Sequence, residues 1–139
     1  MLSKRLIDSV KRHEGFRSRP YKDTEDILTI GYGTNLEALD ITKEEAEVWM
    51  RKDLNKIIEI LCDDPLFMQI DKRARREVII EMAYNLGISG LYKFKKMWAA
   101  IDNSSWELAA KEMLDSKWAR QVGNRAVRLA ERMRTGEWE

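Results

Sequence analysis

Cysteine, histidine and proline are scarce in this chain of 139 residues, and each scarcity excludes a kind of chemistry. A single cysteine, Cys62, permits neither an intramolecular disulfide nor a zinc site built from thiolates. A single histidine, His13, argues against serine-protease triads and histidine-rich metal sites, although one histidine could still act as a base. Two prolines and seven glycines argue against collagen-like, linker-like and low-complexity sequences. Catalytic chemistry is therefore expected to come from carboxylates.

Long uncharged runs are absent as well. No segment approaches the roughly 18 uncharged residues that a membrane span requires, and residues 1–8 lack the apolar stretch of a secretory signal. Apolar residues make up 44% of the chain and charged residues 35%, which suits a hydrophobic core under a strongly hydrated surface. We expect one domain, or two small lobes sharing a chain, without stable membrane insertion.

Charge is divided unevenly along the chain. Residues 1–71 hold 11 basic and 15 acidic side chains, a net charge of −4. Residues 72–139 hold 14 basic and 9 acidic side chains, a net charge of +5. A positive half suits contact with an anionic polymer or weak binding of a nucleic acid, and it equally suits ordinary solvated helix faces.

The residue pattern predicts a helix followed by a hairpin. Apolar residues at helical spacing predict a helix over residues 3–14, with Gly15 as a candidate C-cap. Short β-prone runs at residues 16–21 and 27–32 flank a polar turn, which is typical of a hairpin. The glycines that bracket Tyr32 indicate a bend or a close backbone approach where the second strand ends.

The rest of the chain is predicted to be helical. A capping box at Thr42–Glu45 begins a long amphipathic helix over residues 42–62, roughly 30 Å in length. Asp71 is predicted to cap a helix that ends at Gly87, and Ser104 to begin a second capping box. Further helices are predicted over residues 93–102, 105–115, 117–122 and 124–135.

Two carboxylates have surroundings that suit an acid–base pair. Glu14 is expected at the C-terminal end of the first helix, beside Phe16, where the helix dipole and an apolar neighbour favour the protonated form. A general acid that works near neutral pH requires that form. Asp23, in the predicted turn, is expected to be exposed and ionised. A helix-terminal glutamate and a turn aspartate are also common structural features, so spacing alone leaves both interpretations open.

Residues 14–33 add a longer pattern, which resembles the signature of the phage lysozyme family, that is, the T-even phage lysozyme and related endolysins. The signature E-G-x-R-x-x-x-Y-x-D-x-x-x-x-x-T-I-G-x-G is matched at nine positions between Glu14 and Gly33. The likeness covers nearly the whole chain, because it continues at residues 41–47, 83–87, 116–118, 124–128 and 134–138.

The resemblance implies an α+β, mostly helical, lysozyme-like fold as a single domain over residues 1–139. A small β-hairpin lobe (about residues 13–60) and a helical lobe (about 63–139, with helix 1–14) would be joined by the long helix at 42–62. It also implies a monomeric muramidase, without metal or cofactor, that hydrolyses the β-1,4 bond between N-acetylmuramic acid and N-acetylglucosamine in peptidoglycan.

The same resemblance assigns catalytic roles position by position. Glu14 matches the glutamate that protonates the glycosidic oxygen, and Asp23 matches the aspartate on the opposite side of the sugar. Thr29 matches the threonine that orients the attacking water, although it is equally an ordinary strand residue. If water attacks directly, the product is inverted and the two carboxyl groups are expected about 6.5–9.5 Å apart.

Three further residues are implied to bind substrate. Tyr84 matches an aromatic residue of the family's cleft, and Asn85 follows it as a polar contact. Arg125 matches an arginine near the catalytic glutamate, where an ion pair would position the carboxylate. Tyr84 could instead belong to the core and Arg125 to an ordinary surface ion pair.

The chain departs from the family pattern in its first lobe. Thr34 stands where many relatives have a histidine, and Asp26 replaces a common turn glycine. The segment at residues 35–40 leaves little room for an additional helix. These departures concern the shape of the cleft more than the acid–base pair.

Two other functions stay open at this point. A catalytically silent wall-binding module would keep the cleft without the chemistry. A helical nucleic-acid binder could use the basic run at residues 72–76, although no recognised DNA- or RNA-binding motif supports it. For the enzyme, the family and the missing signal predict accumulation in the cytoplasm of a host bacterium and access to the wall through a holin-type lesion.

Overall fold

The computed structural model describes residues 1–138, of which 67% are helical, and these residues contain one small antiparallel sheet. The predicted α+β, mostly helical class is therefore confirmed. Within these residues, none of the helices has the length and apolar character that crossing a bilayer would require. The elements are α1 (Lys4–Glu14), β1 (Arg17–Lys22), β2 (Leu28–Gly31), β3 (Thr34–Asn35), a 3₁₀ turn (Leu36–Ala38), α2 (Lys43–Leu61), α3 (Pro65–Gln69), α4 (Arg73–Leu91), α5 (Lys95–Asp102), α6 (Trp106–Leu114), α7 (Lys117–Val122) and α8 (Asn124–Thr135).

The chain forms two compact units, residues 1–46 and 47–139. The first unit contains α1 and the sheet, and the second contains helices α3 to α8. Helix α2 begins in the first unit and continues in the second. The lobe boundaries expected from the sequence, with helix 1–14 grouped with the helical lobe, stay a prediction.

The sheet of the first unit has the strand order β1-β2-β3, with both pairs antiparallel. Tyr21 lies opposite Thr29 at the closed end of the predicted hairpin, and the register shifts between Arg17 and Tyr21. Strand β3 was not predicted, because its two residues are too short to show an alternating pattern.

The hairpin turn accommodates Asp26, where the family resemblance implies the replacement of a turn glycine. Asp26 has φ +64°, in the left-handed region that glycine adopts freely and aspartate tolerates better than most residues. Its N–H donates to the carbonyl of Asp23 at 3.0 Å. The replacement therefore keeps the tight turn.

The helix ends test the predicted caps. The capping box at Thr42 is confirmed: its Oγ1 accepts the N–H of Glu45 at 3.1 Å, and Glu45 Oε1 accepts the N–H of Thr42 at 3.0 Å. The predicted cap at Asp71 is wrong, because Lys72 holds the N-cap position of α4 and makes no side-chain cap bond. The predicted cap at Ser104 is also wrong, because Ser104 lies in a left-handed turn with φ +53° and α6 begins two residues later.

Helix α4 breaks where its end was predicted. Gly87 has φ +81° and ψ +158°, and a further helical segment continues to Leu91. After this segment, the Tyr92 hydroxyl donates to Asp64 Oδ2 at 2.6 Å, while Asp64 Oδ1 accepts the N–H of Leu66 and caps α3. Burial, helped by the bond to Asp64, raises the pKa of the Tyr92 phenol above its ordinary value. The loop after α4 is thereby tied to the start of α3.

The core lies in the second unit. Methionine is frequent among its largest fully buried side chains, and its flexible thioether fills irregular gaps between helices. Trp98 and Trp118 are also buried, and their indole N–H groups are satisfied by the Leu91 carbonyl at 3.2 Å and by Asn85 Oδ1 at 2.7 Å. The fully buried large side chains are Leu61, Ile70, Val78, Ile79, Met82, Leu91, Met97, Met113 and Met133.

A buried arginine connects α4 to α8. Arg75 is 5% exposed, and it donates from Nε to the Met133 carbonyl at 2.7 Å and from Nη2 to the Arg134 carbonyl at 2.9 Å. Its Nη1 lies 3.0 Å from Asp71 Oδ1, and its guanidinium carbon lies 4.3 Å from the ring centroid of Trp106. Because the last carbonyls of a helix have no partners within the helix, Arg75 caps the C-terminal end of α8.

Arg75→Gln is expected to lower the free energy of unfolding by about 3 kcal/mol, because it leaves buried carbonyls and Asp71 without their donor. Arg75→Lys keeps the charge but loses the planar fork, so its loss should be intermediate. Arg73→Gln is the control, since Arg73 is exposed and has one ion pair, 3.6 Å from Glu77; it should cost less than about 0.5 kcal/mol. Urea unfolding measures all three, and equal losses for the two glutamine variants would contradict the capping role.

Candidate active site

The first unit carries the three residues predicted to be catalytic. Glu14 is the last residue of α1, which ends because Gly15 leaves the helix and donates its N–H back to the Lys11 carbonyl at 2.9 Å. Asp23 directly follows β1, and Thr29 lies within β2. The hairpin therefore determines where two of the three side chains lie.

Asp23 and Thr29 are joined through the backbone of Ile27. The Ile27 carbonyl accepts both the Asp23 N–H and the Thr29 hydroxyl, each at 2.9 Å. The Ile27 N–H donates to Asp23 Oδ1 at 2.9 Å, and the Glu25 N–H donates to the same oxygen at 2.8 Å. One residue of the turn thus holds both side chains in a fixed relation.

These bonds decide what each side chain can still offer to a ligand. Thr29 is 4% exposed and gives its hydroxyl proton to Ile27, so its oxygen can act towards a ligand only as an acceptor. Asp23 Oδ1 accepts two hydrogen bonds. The hydrogen bonds of Asp23 within residues 1–138 do not involve Oδ2, so this oxygen is available to a ligand. Two acceptors held by the same peptide suit a water molecule that donates both of its protons.

The Glu14 carboxylate lies against the backbone of Gly33, between β2 and β3. A Cβ atom on Gly33 would lie 2.6 Å from Glu14 Oε2 and 3.0 Å from Glu14 Cδ. Gly33 also has φ +81°, a conformation in which side chains are strained. The close backbone approach predicted from the paired glycines is therefore confirmed at Gly33, and it brings Glu14 to the sheet that carries Thr29.

The second unit contains Tyr84 and Asn85, on α4. Tyr84 is 43% exposed, so it does not belong to the core, and it lines an open cavity of about 510 Å³ with Ile57 and Ile88. Asn85 Oδ1 accepts the indole N–H of Trp118, which orients the side-chain amide so that its NH₂ group can donate to a ligand.

Arg125, near the start of α8, forms a half-exposed ion pair with Glu81. Arg125 Nε lies 3.0 Å from Glu81 Oε2, and Arg132 Nη1 lies 3.9 Å from Glu81 Oε1. This is the ordinary ion pair that the sequence left open, and the role of Arg125 beside Glu14 stays a prediction. Glu81 was missed because a lone glutamate in a helix has no local signal for a partner 44 positions along the chain.

The described part of the chain, residues 1–138, contains no group of three or more histidine, cysteine, aspartate or glutamate side chains placed to hold a metal ion. The expectation of a reaction without a metal or cofactor stays a prediction.

Comparison with known proteins decides the family. A family model described as phage lysozyme matches residues 11–136. The chain belongs to the phage lysozyme family. This chain is 28% identical over 160 residues to probable T4-type lysozyme 1 of Dictyostelium discoideum, with 94% of each chain covered. It is 27% identical over 161 residues to probable T4-type lysozyme 2 of the same organism, also with 94% of each covered.

The chain is also similar to a segment of a longer protein. The pre-baseplate central spike protein Gp5 of Enterobacteria phage T4 is 27% identical over 163 residues, which covers 96% of this lysozyme and 28% of Gp5. The family resemblance seen in the sequence and the predicted enzyme class, a glycoside hydrolase, are both confirmed.

Gly33→Ala is expected to reduce the rate of wall clearing roughly tenfold or more, because the new methyl group displaces the Glu14 carboxylate. Gly31→Ala is the matched control: Gly31 has φ +69°, and nothing lies within 4 Å of a Cβ placed there. Both variants should lose about 1 kcal/mol of stability through backbone strain. Unfolding curves and turbidity clearing measure the two effects, and equal clearing by the two variants would contradict the contact.

Proposed function

We propose that the chain hydrolyses the β-1,4 bond between N-acetylmuramic acid and N-acetylglucosamine, with Glu14 as the general acid and with Asp23 and Thr29 placing the water. The observation that carries the proposal is that the Ile27 backbone forms hydrogen bonds with both Asp23 and Thr29. These bonds leave an acceptor atom available on each of the two side chains. The contact of Glu14 with Gly33, on the same hairpin unit, supports a shared site.

The proposed reaction begins with proton transfer from Glu14 to the glycosidic oxygen, so that the leaving sugar departs as a neutral alcohol. Positive charge develops at the anomeric carbon, and the Asp23 carboxylate stabilises it. The water donates its protons to Asp23 and Thr29 and attacks through a lone pair. One proton passes to Asp23 as the new C–O bond forms. Direct attack by water inverts the configuration at the anomeric carbon.

Three residues of the helical unit have groups suited to contact with a glycan. The exposed ring of Tyr84 is suited to packing on a sugar face, and the free NH₂ of Asn85 is suited to donating to an acetamido carbonyl. Arg125 adds a positive charge, which suits a substrate that bears carboxylates. The cavity beside Tyr84 is open, as binding of a long polymer requires.

Glu14→Gln is expected to reduce the clearing of a cell-wall suspension by about 10²- to 10⁴-fold, because the amide cannot donate the proton that the leaving oxygen needs. Glu44→Gln, at an exposed position in the first turn of α2, is the control and should clear walls like the parent. Wall pelleting, as a measure of binding, should be unchanged in both variants. Equal clearing by Glu14→Gln and the parent would remove Glu14 from the mechanism, and no clearing by either would favour the silent wall-binding module.

Thr29→Ser should keep most of the activity, since it keeps an oxygen that can bond to Ile27 and accept from water. Thr29→Val, which has a similar volume, removes that acceptor and should slow clearing by roughly tenfold or more. A retained reaction rate in the valine variant would show that Thr29 is only a strand residue. Urea unfolding of both variants separates lost stability from lost placement of the water.

The biological setting remains as it was predicted. Relatives occur both in a phage and in Dictyostelium discoideum, so membership of this family is not tied to one setting. Location in a host cytoplasm, access to the wall through a holin-type lesion, a monomeric state and the absence of nucleic-acid binding all stay predictions.

A further inference from the structure

Two aromatic rings of the first unit contact each other at the surface. Phe16 lies between α1 and β1, and Tyr32 lies in the turn between β2 and β3. Their ring centroids are 5.5 Å apart, and the ring planes are inclined by 49°. Phe16 is nevertheless 64% exposed and Tyr32 is 42% exposed, so each ring keeps much of its area in contact with water. Single apolar side chains are common at protein surfaces, whereas contiguous ones more often mark an interaction surface.

The aromatic pair lies beside the Glu14 carboxylate. Lys11 and Glu14 are three residues apart on α1, and side chains at this spacing are neighbours on a helix surface. Lys11 Nζ lies 5.5 Å from the centroid of the Tyr32 ring. The Glu14 carboxylate lies against Gly33, the residue that follows Tyr32. One flank of α1 therefore meets the turn at two successive residues, which brings the rings next to the group proposed as the general acid.

The chemistry of the pair suits a neutral sugar ring. The axial C–H groups of a pyranose form an apolar face with a slight positive charge, and the face of an aromatic ring is negative. Two inclined rings offer a shallow apolar angle in which such a face can lie. Lys11 already provides a cation beside Tyr32, so a cationic ligand is disfavoured there.

We propose that Phe16 and Tyr32 bind one N-acetylhexosamine ring of the glycan strand, in a subsite next to the bond that Glu14 would protonate. The inference rests on the proposed function, because it takes the glycan as the substrate. It adds a subsite within the first unit, whereas the glycan contacts proposed above come from the helical unit. The sugar would contact both rings, so binding should need both.

The test is a calorimetric titration of the full chain, as the Glu14→Gln variant, with tetrasaccharide glycan strands freed from their peptides. Adding Tyr32→Ala or Phe16→Ala should weaken binding about five- to tenfold, because each removes a ring face. Adding Tyr32→Phe keeps the ring and should leave the affinity unchanged. Trp49→Ala is the control, since Trp49 is an exposed aromatic residue of α2 and should not contribute.

A second measurement does not depend on the folding of an alanine variant. In the Glu14→Gln chain with both rings intact, the NMR signals of the Phe16 and Tyr32 rings should shift and saturate as strands are added. Ring signals that do not respond, or equal affinities of the chains carrying Tyr32→Ala and Trp49→Ala, would overturn the subsite. Ring signals that shift with protein concentration alone would assign the pair to contact between two copies of the chain and would also overturn it.

The subsite and the proposed hydrolysis fail in different ways. Wall clearing by Glu14→Gln at the rate of the parent would remove Glu14 from the mechanism, and chromatography of the strands after the titration would show whether this variant cuts them. The ring signals of Phe16 and Tyr32 report binding in either case. Loss of the subsite would leave the result for Glu14 unchanged.

Discussion

One peptide carbonyl organises the candidate site of the first unit. By accepting the N–H of Asp23 and the hydroxyl of Thr29, the Ile27 carbonyl fixes two side chains with a single backbone atom. A hydroxyl whose proton is already committed cannot turn to become a donor, so Thr29 has a defined polarity towards any ligand. The arrangement needs no large core, which fits a unit whose polar turn is held mainly by hydrogen bonds and a tight hairpin.

The helical unit is organised differently, by burial and by charges that compete for partners. Arg75 donates hydrogen bonds to the carbonyls at the end of α8. This capping role explains why Asp71 contacts Arg75 and does not cap its own helix. Near the other end of α8, Arg125 forms an ion pair with Glu81 of α4. Thus α8 is joined to α4 near both of its ends, by the Arg75 guanidinium and by the ion pair of Arg125 with Glu81.

Local signals explain what could be predicted. The helix end at Gly15, the capping box at Thr42 and the hairpin each depend on residues within a few positions, and sequence spacing shows such relations directly. The predictions that failed depend on residues distant in the sequence. The predicted Asp71 cap is wrong because Asp71 contacts Arg75, whose guanidinium is bound to α8. Glu81 was missed because its partner is Arg125, far along the chain. Strand β3 was missed for a different reason, because two residues are too few to show the alternating pattern of a strand.

The same distinction explains why the family signature lies where it does. Glu14, Asp23, Thr29 and Gly33 act through contacts within one hairpin unit, so their spacing cannot change without moving the carboxylates or the acceptor. The ion pair of Glu81 with Arg125 in the helical unit instead joins α4 to α8, so it depends on how these helices pack and not on sequence neighbours. A short motif can therefore indicate the predicted acid–base residues, whereas side-chain contacts between two helices are visible only in the folded structure.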